Sequence, residues 1–211
     1  MSTTSRRLLC FAVLGLSGLS GCAQKNLYDC YMGAPDAAER RDCIANGQAD
    51  VTVEPGQSIN QAMFDMPADA TRWVVKVRPG TYRETIAIDR SGVMLVGVTS
   101  ADRPEERVVI DGALDGGKVR KDAVIVSGSR FVMDGITVKN YSGNGVTTSK
   151  SLGVTLRNLV ADNTGNYGVY PVESEDILIE DCVTTGIKDA GIYVGQSRRA
   201  TVRGNRVYGN V

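Results

Sequence analysis

DAVIVSGSRFVMDGITVKNYSGN (122–144), GVTTSKSLGVTLRNLVADNTGNY (145–167), GVYPVESEDILIEDCVTTGIKDA (168–190) and GIYVGQSRRATVRGNRVYGNV (191–211) are successive passes through one pattern with a period of about 23 residues. Aligned on that period, apolar residues fall into columns. The second position holds Ala123, Val146, Val169 and Ile192; the tenth holds Phe131, Val154, Ile177 and Ala200; the twelfth holds Met133, Leu156, Ile179 and Val202. The thirteenth is charged throughout, with Asp134, Arg157, Glu180 and Arg203. Apolar–polar alternation is the period of a strand with one buried face. No single pass can bury its own apolar row, so the passes must stack.

This period, with several short strands per pass, implies an all-β right-handed parallel β-helix in which each coil climbs ~4.8 Å, the spacing of paired strands. A left-handed hexapeptide coil would need periods in multiples of six, and neither the leucine-rich signature nor the glycine-aspartate nonapeptide is present. Cys182 shares a column with Ile136 and Leu159 and is expected to point inward as a small hydrophobe. Asn140 and Asn163 share another, where stacked amides bond to each other and to backbone.

Working toward the N-terminus, looser coils occupy 74–121, with strands expected at Val74–Arg78, Val93–Val98 and Val108–Ile110 and a turn at Pro79-Gly80-Thr81-Tyr82. Ser58-Ile59-Asn60-Gln61 is a capping box, and Ile59, Ala62, Met63 and Met66 lie on one face of a short helix that Pro67 stops. That helix is expected to cover the N-terminal mouth of the stack. Residues 51–211 then form the β-helix domain, and residues 22–50 read as a tether with a small stapled loop. The last coil is incomplete and uncapped, so the C-terminal end reads as truncated, to be covered by further coils or by a protein partner.

Residues 1–21 read as a leader. Arg6 and Arg7 precede the apolar run Leu8–Leu16, and Leu19-Ser20-Gly21-Cys22 resembles a bacterial lipobox. The resemblance implies cleavage before Cys22, acylation of its thiol, and an outer-membrane lipoprotein facing the periplasm or the cell surface, since Ala23 follows the cysteine. Of the remaining thiols, Cys30 and Cys43 lie close together in a polar segment and are expected to pair in an oxidising compartment, for about 3 kcal/mol.

Composition narrows function. The chain has 211 residues, 24 Lys+Arg against 24 Asp+Glu, and no histidine. Histidine triads, imidazole bases and the usual histidine metal sites are therefore absent. Balanced charge argues against a nucleic-acid partner. The methionines are scattered along the sequence, which weakens a copper-handling reading.

Tyr167–Ser174 (YGVYPVES) and Asp189–Ser197 (DAGIYVGQS), following the PGTY segment, resemble repeats of the pectin-lyase-like superfamily over roughly residues 51–211. The resemblance implies the β-helix fold; the superfamily holds polysaccharide lyases, hydrolases, uronate epimerases and non-enzymatic maturation factors, so fold does not select an activity. Uronate epimerases carry Tyr-Gly-x-Asp-Pro-His. Tyr167, Gly168 and Pro171 match it, but Tyr170 replaces the aspartate and Val172 the histidine, so the epimerase roles do not carry over.

The residues expected to form a site lie one period apart. Tyr170 and Tyr193 should be neighbours on one outer face, with Lys150, Glu173 and Gln196 in a column beside them, Asp189 at the preceding turn and Arg198 just beyond. Tyrosines stack on sugar rings, carboxylates and amides bind hydroxyls, and Arg suits an acidic polysaccharide. If the site is a lyase, a Lys, Arg or Tyr must remove the proton alpha to the uronate carboxylate, and Tyr170 and Tyr193 are the better candidates, Arg being a poor base. Glu173 and Asp189 offer few of the oxygens a calcium ion requires. The expected function is binding, with or without cleavage or epimerisation, of an acidic polysaccharide. The alternatives are a non-catalytic scaffold, such as a periplasmic metalloenzyme-maturation factor, and a purely structural or adhesive lipoprotein.

Overall fold

A computed structural model describes residues 25–99 and 106–210; the leader and Cys22 lie outside them. Parallel strands form three ladders, of seven, four and six strands, that the chain visits in turn on each coil. The seven-stranded sheet runs from Val51–Val53 through Trp73–Val77, Val93–Gly97, Phe131–Asp134, Leu152–Arg157 and Glu175–Glu180 to Arg198–Arg203. The four-stranded sheet joins Ile86–Ile88, Val124–Val126, Val146–Ser149 and Val169–Val172, and the six-stranded sheet runs from Gly80–Tyr82 to Arg206–Tyr208. The winding is right-handed, the hand almost always found in connections between parallel strands of one sheet.

The columns become vertical files. Phe131 pairs with Val154, Val154 with Ile177 and Ile177 with Ala200; Met133, Leu156, Ile179 and Val202 follow in the same register. Val146, Val169 and Ile192 also form one file, but Val146 pairs with Val124 rather than with Ala123. The slip arises at a corner: between Val126 and Phe131 the chain is one residue shorter than between Thr148 and Val154. Cys182 is fully buried, and desolvation pushes its thiol up to about 12. The Asn163 amide donates to the Asn140 side-chain oxygen at 2.9 Å, and Asn140 donates to Asp111 at 2.9 Å. Both asparagines have positive φ, so they turn the coil as well as tie it.

Pro79–Tyr82 does not form the expected turn. Gly80–Tyr82 is a strand, the first of its sheet, and the Tyr82 hydroxyl donates to the Arg78 carbonyl at 2.8 Å. The helix α3 (Ile59–Phe64) does cover the N-terminal mouth. Ser58 accepts from the Gln61 N–H, and Ile59, Ala62 and Met63 enter the core. Asn60 then closes the open edge of the four-stranded sheet: its side-chain oxygen accepts from the Ala87 N–H at 3.1 Å and its amide donates to the Thr85 carbonyl.

Residues 25–50 are not a tether. They form α1 (Leu27–Gly33) and α2 (Ala37–Asn46), joined by the Cys30–Cys43 disulfide and packed on the outer face of the seven-stranded sheet. Leu27, Tyr31, Cys43 and Ile44 meet Val74, Met94, Val96 and Val132. Those outward residues are apolar because the hairpin covers them, and the resulting burial offsets the ordering of a polar segment. At the edge of the hairpin the Tyr31 hydroxyl donates to Asp134 Oδ2 at 2.6 Å, and Arg157 donates to the Tyr31 oxygen at 3.3 Å. The charged column continues as a ladder, with Glu180 accepting from Arg157 at 2.8 Å and from Arg203 at 2.6 Å.

Candidate functional site

Register places the site. Outward residues of the four-stranded sheet fall in one file, Ala87, Ile125, Thr147 and Tyr170, because each is paired with the next. Bridges from Val169 to Ile192 and from Val172 to Gly195 carry the ladder one coil further and set Tyr193 above Tyr170. The Tyr170 and Tyr193 rings stack with centroids 5.5 Å apart and planes 11° from parallel. Gly195 supplies the room: a Cβ there would lie 3.0 Å from the Tyr170 ring and 3.3 Å from the Tyr193 ring.

Tyr167 is a member of the cluster that the alternation rule does not find. It sits in the turn ahead of the strand, with its ring 4.6 Å from Tyr170 and 5.0 Å from Tyr193. The sequence marked it only as the first residue of the partial epimerase-motif match, three residues before Tyr170, in a turn where no period dictates side-chain direction. Partial desolvation, then the adjacent Asp189 carboxylate, hold the Tyr167 phenol above its ordinary value. Tyr167 is thereby a hydrogen-bond donor and a poor base. Asp189 thus lies beside Tyr167 at the edge of the cluster.

The Lys150, Glu173 and Gln196 column is a corner of the coil. All three residues have positive φ, at 54°, 49° and 44°. Lys150 and Glu173 form a 3.7 Å ion pair exposed to solvent, worth under ~1 kcal/mol. Arg198 lies past that corner, on the seven-stranded sheet, 3.6 Å from Glu175. Its neighbour Arg199 is more firmly held, with Nε 2.5 Å and Nη2 2.8 Å from the two oxygens of Asp176. The expected residues therefore form two parts: a tyrosine platform with Asp189 on one face, and a polar corner of Lys150, Glu173 and Gln196 leading to Arg198.

Chemically, the platform offers a cluster of partly exposed aromatic rings, Tyr193 the most open of the three, edged by a carboxylate, a match for rings with apolar faces and hydroxyl rims. Among the described residues, no group of three or more His, Cys, Asp or Glu side chains could hold a metal ion, and no helix is long and apolar enough to cross a membrane.

Solved structures resemble this one in fold. A pectin methylesterase in complex with hexasaccharide VII superposes with a TM-score of 0.53 at 15% identity, covering 69% of this chain and 52% of that one. Pectin methylesterase from carrot gives 0.47 at 15% identity over 73% of this chain and 54% of that one. ORF18 of Geobacillus virus E2 gives 0.43 at 16% identity over 88% and 40%. The chain spans about half the length of the pectin methylesterases it matches. No curated protein matches the sequence. The family model described as "Right handed beta helix region" matches residues 91–211. Stacked parallel strands, inward apolar files and this match together place the chain in the right-handed β-helix family.

Proposed function

We infer that the outer face of the four-stranded sheet binds a polysaccharide, with Tyr167, Tyr170 and Tyr193 as the stacking platform. The observation that carries this reading is the three-ring cluster, with centroids 4.6–5.5 Å apart, on an outward face of a rigid ladder. Aromatic side chains held in place by backbone register lose little entropy on binding. At the corner beside this face, Lys150 and Arg198, both exposed and held only by ion pairs of 3.7 and 3.6 Å, favour an acidic polymer. A pectin methylesterase solved with a hexasaccharide gives a precedent for a sugar oligomer on this fold. The charged n-region, apolar run and Cys22 support an acylated protein of the cell envelope, where such polymers occur.

Binding is the function proposed. Retention on immobilised polygalacturonate, compared with a neutral glucan, tests it. Wild type should be retarded on the acidic matrix, and Tyr193→Ala should weaken retention about 2–10-fold, the worth of one aromatic stacking contact. Absence of retardation on either matrix would overturn the reading; retention on the glucan alone would overturn its acidic part. Absorbance from unsaturated uronate in the eluate would instead assign a lyase step to this face.

A further inference from the structure

The tyrosine platform is one end of a longer feature. The outward file runs down the four-stranded sheet from Tyr193 through Tyr170, Thr147 and Ile125 to Ala87, and ends in a groove against α3. That groove has a volume of about 570 Å³, and its lining includes Gln61, Phe64, Ala87, Ile125 and Ser127. Phe64, at the last turn of α3, is 85% exposed, and Ile125 is 42% exposed. Two large apolar side chains in water beside one groove call for an explanation, since the opposite side of the same helix is packed into the core.

The groove wall is fixed in place. Glu84 accepts from the Ile59 N–H at 2.7 Å and from the Ser58 hydroxyl at 2.8 Å, which anchors the start of α3. Arg90 donates to the carbonyls of Met66, Pro67 and Ala68, which anchors the chain after it. Asn60 clamps the helix to the sheet edge. Phe64 is therefore presented by a pre-organised element, as the tyrosines are.

Strand spacing puts Tyr193 four rungs, or about 19 Å, from Ala87, with Phe64 beyond it. Between the tyrosines and the groove the file holds Thr147 and then Ile125, whose side chain belongs to the groove lining. The groove also carries hydroxyl, amide and charged groups: Ser58, Gln61, Asp89 and Ser127.

We propose that the Phe64 groove is a distal subsite for the polysaccharide that the tyrosines hold, so that the protein recognises an extended chain laid along the solenoid axis. The proposal rests on the polysaccharide reading of the platform. It follows from the continuous strand file that runs from Tyr193 down to Ala87, where the Phe64 groove begins, and from the shared lining chemistry, apolar side chains beside polar groups. Short fragments reach only one end. Chains long enough to reach both gain affinity by an effectively intramolecular second contact.

Calorimetric titration with a size series of oligogalacturonates, from dimer to dodecamer, tests this. Wild-type affinity should climb with length and then level off. Tyr193→Ala should weaken binding at every length that binds. Phe64→Ala, a change at an exposed site with little bearing on folding, should leave the short oligomers unchanged and weaken the long ones about 3–10-fold. Phe64→Trp should retain the length dependence. If Phe64→Ala matches wild type at all lengths while Tyr193→Ala weakens binding, the distal subsite is wrong and the platform reading stands. If Phe64→Ala weakens short and long oligomers alike, the groove is not a distal contact, and the proposal falls. If wild type binds no oligomer, the platform reading falls and takes the subsite with it.

Discussion

Replacing Tyr31 with phenylalanine removes one oxygen and leaves the ring that fills the space under α1. The hydroxyl donates at 2.6 Å to Asp134, a carboxylate only 6% exposed. Burial holds Asp134 above its ordinary value of 3.8, and the Tyr31 hydrogen bond pulls it back. A folded-state carboxyl raised above its unfolded value contributes stability that is complete below 3.8 and is lost as pH rises through the folded value. Taking away the donor raises the folded value further, so Tyr31→Phe must lose more stability above that value than in acid. Above the folded value, where Asp134 is ionised, the cost is that of a hydrogen bond to a charged acceptor, about 1.5–3 kcal/mol. Below 3.8, where Asp134 is neutral in both states, the cost falls to that of a neutral pair, about 1 kcal/mol. Urea unfolding followed by the fluorescence of Trp73 in the two pH ranges measures both, with an unchanged slope confirming that only stability moved. A penalty below about 0.5 kcal/mol where Asp134 is ionised, or the same penalty in both ranges, would refute the account of how the helical hairpin is fastened to the solenoid.

Leu156 and Val202 lie in the same inward file, one fully buried and the other 46% exposed. Leu156→Ala should cost about 3–5 kcal/mol, because Met133 and Ile179 are held by the ladder and cannot close the cavity, while Val202→Ala should cost under about 1 kcal/mol; equal midpoint shifts would contradict the winding. The paired change Cys30→Ser with Cys43→Ser opens a loop of sequence separation 13 and should cost about 3 kcal/mol in the same assay, and an unaltered midpoint would show that packing alone holds the hairpin. Cys182, with its thiol raised to about 12 and no exposed surface, should react with a thiol reagent at pH 8 only at the rate of unfolding, and rapid native-state labelling would remove it from the inward file.

Much of the fold could be read from spacing. Strand periodicity identified the files of Phe131 and Met133 and their successors, the inward Cys182 and the Asn140–Asn163 pair, while a capping box and a helical apolar face identified the cap at α3. It misplaced Ala123 because a fixed period assumes coils of equal length, and one corner is a residue shorter. The hairpin at 25–50 left only an indirect trace. Asp36-Ala37-Ala38-Glu39 carries a helix-start signal, and Val93–Gly97 is apolar without alternation, the mark of a strand covered on both faces. What covered it lay about 50 residues away in sequence, beyond the reach of local pattern.

At the candidate site the division is similar. One-period separation was enough to make Tyr170 and Tyr193 neighbours, because parallel register repeats side-chain direction on every coil. Tyr167 entered the cluster, and Phe64 the same face, only in three dimensions: turns and helix ends obey no period, and their side chains are aimed by the elements they pack against. The amino-acid sequence by itself determined which residues stack, since burying an apolar row requires a neighbour of matching period. The tertiary structure alone decided which of the outward faces stays open, because the hairpin covers much of one sheet's outer face and leaves the tyrosine file in water.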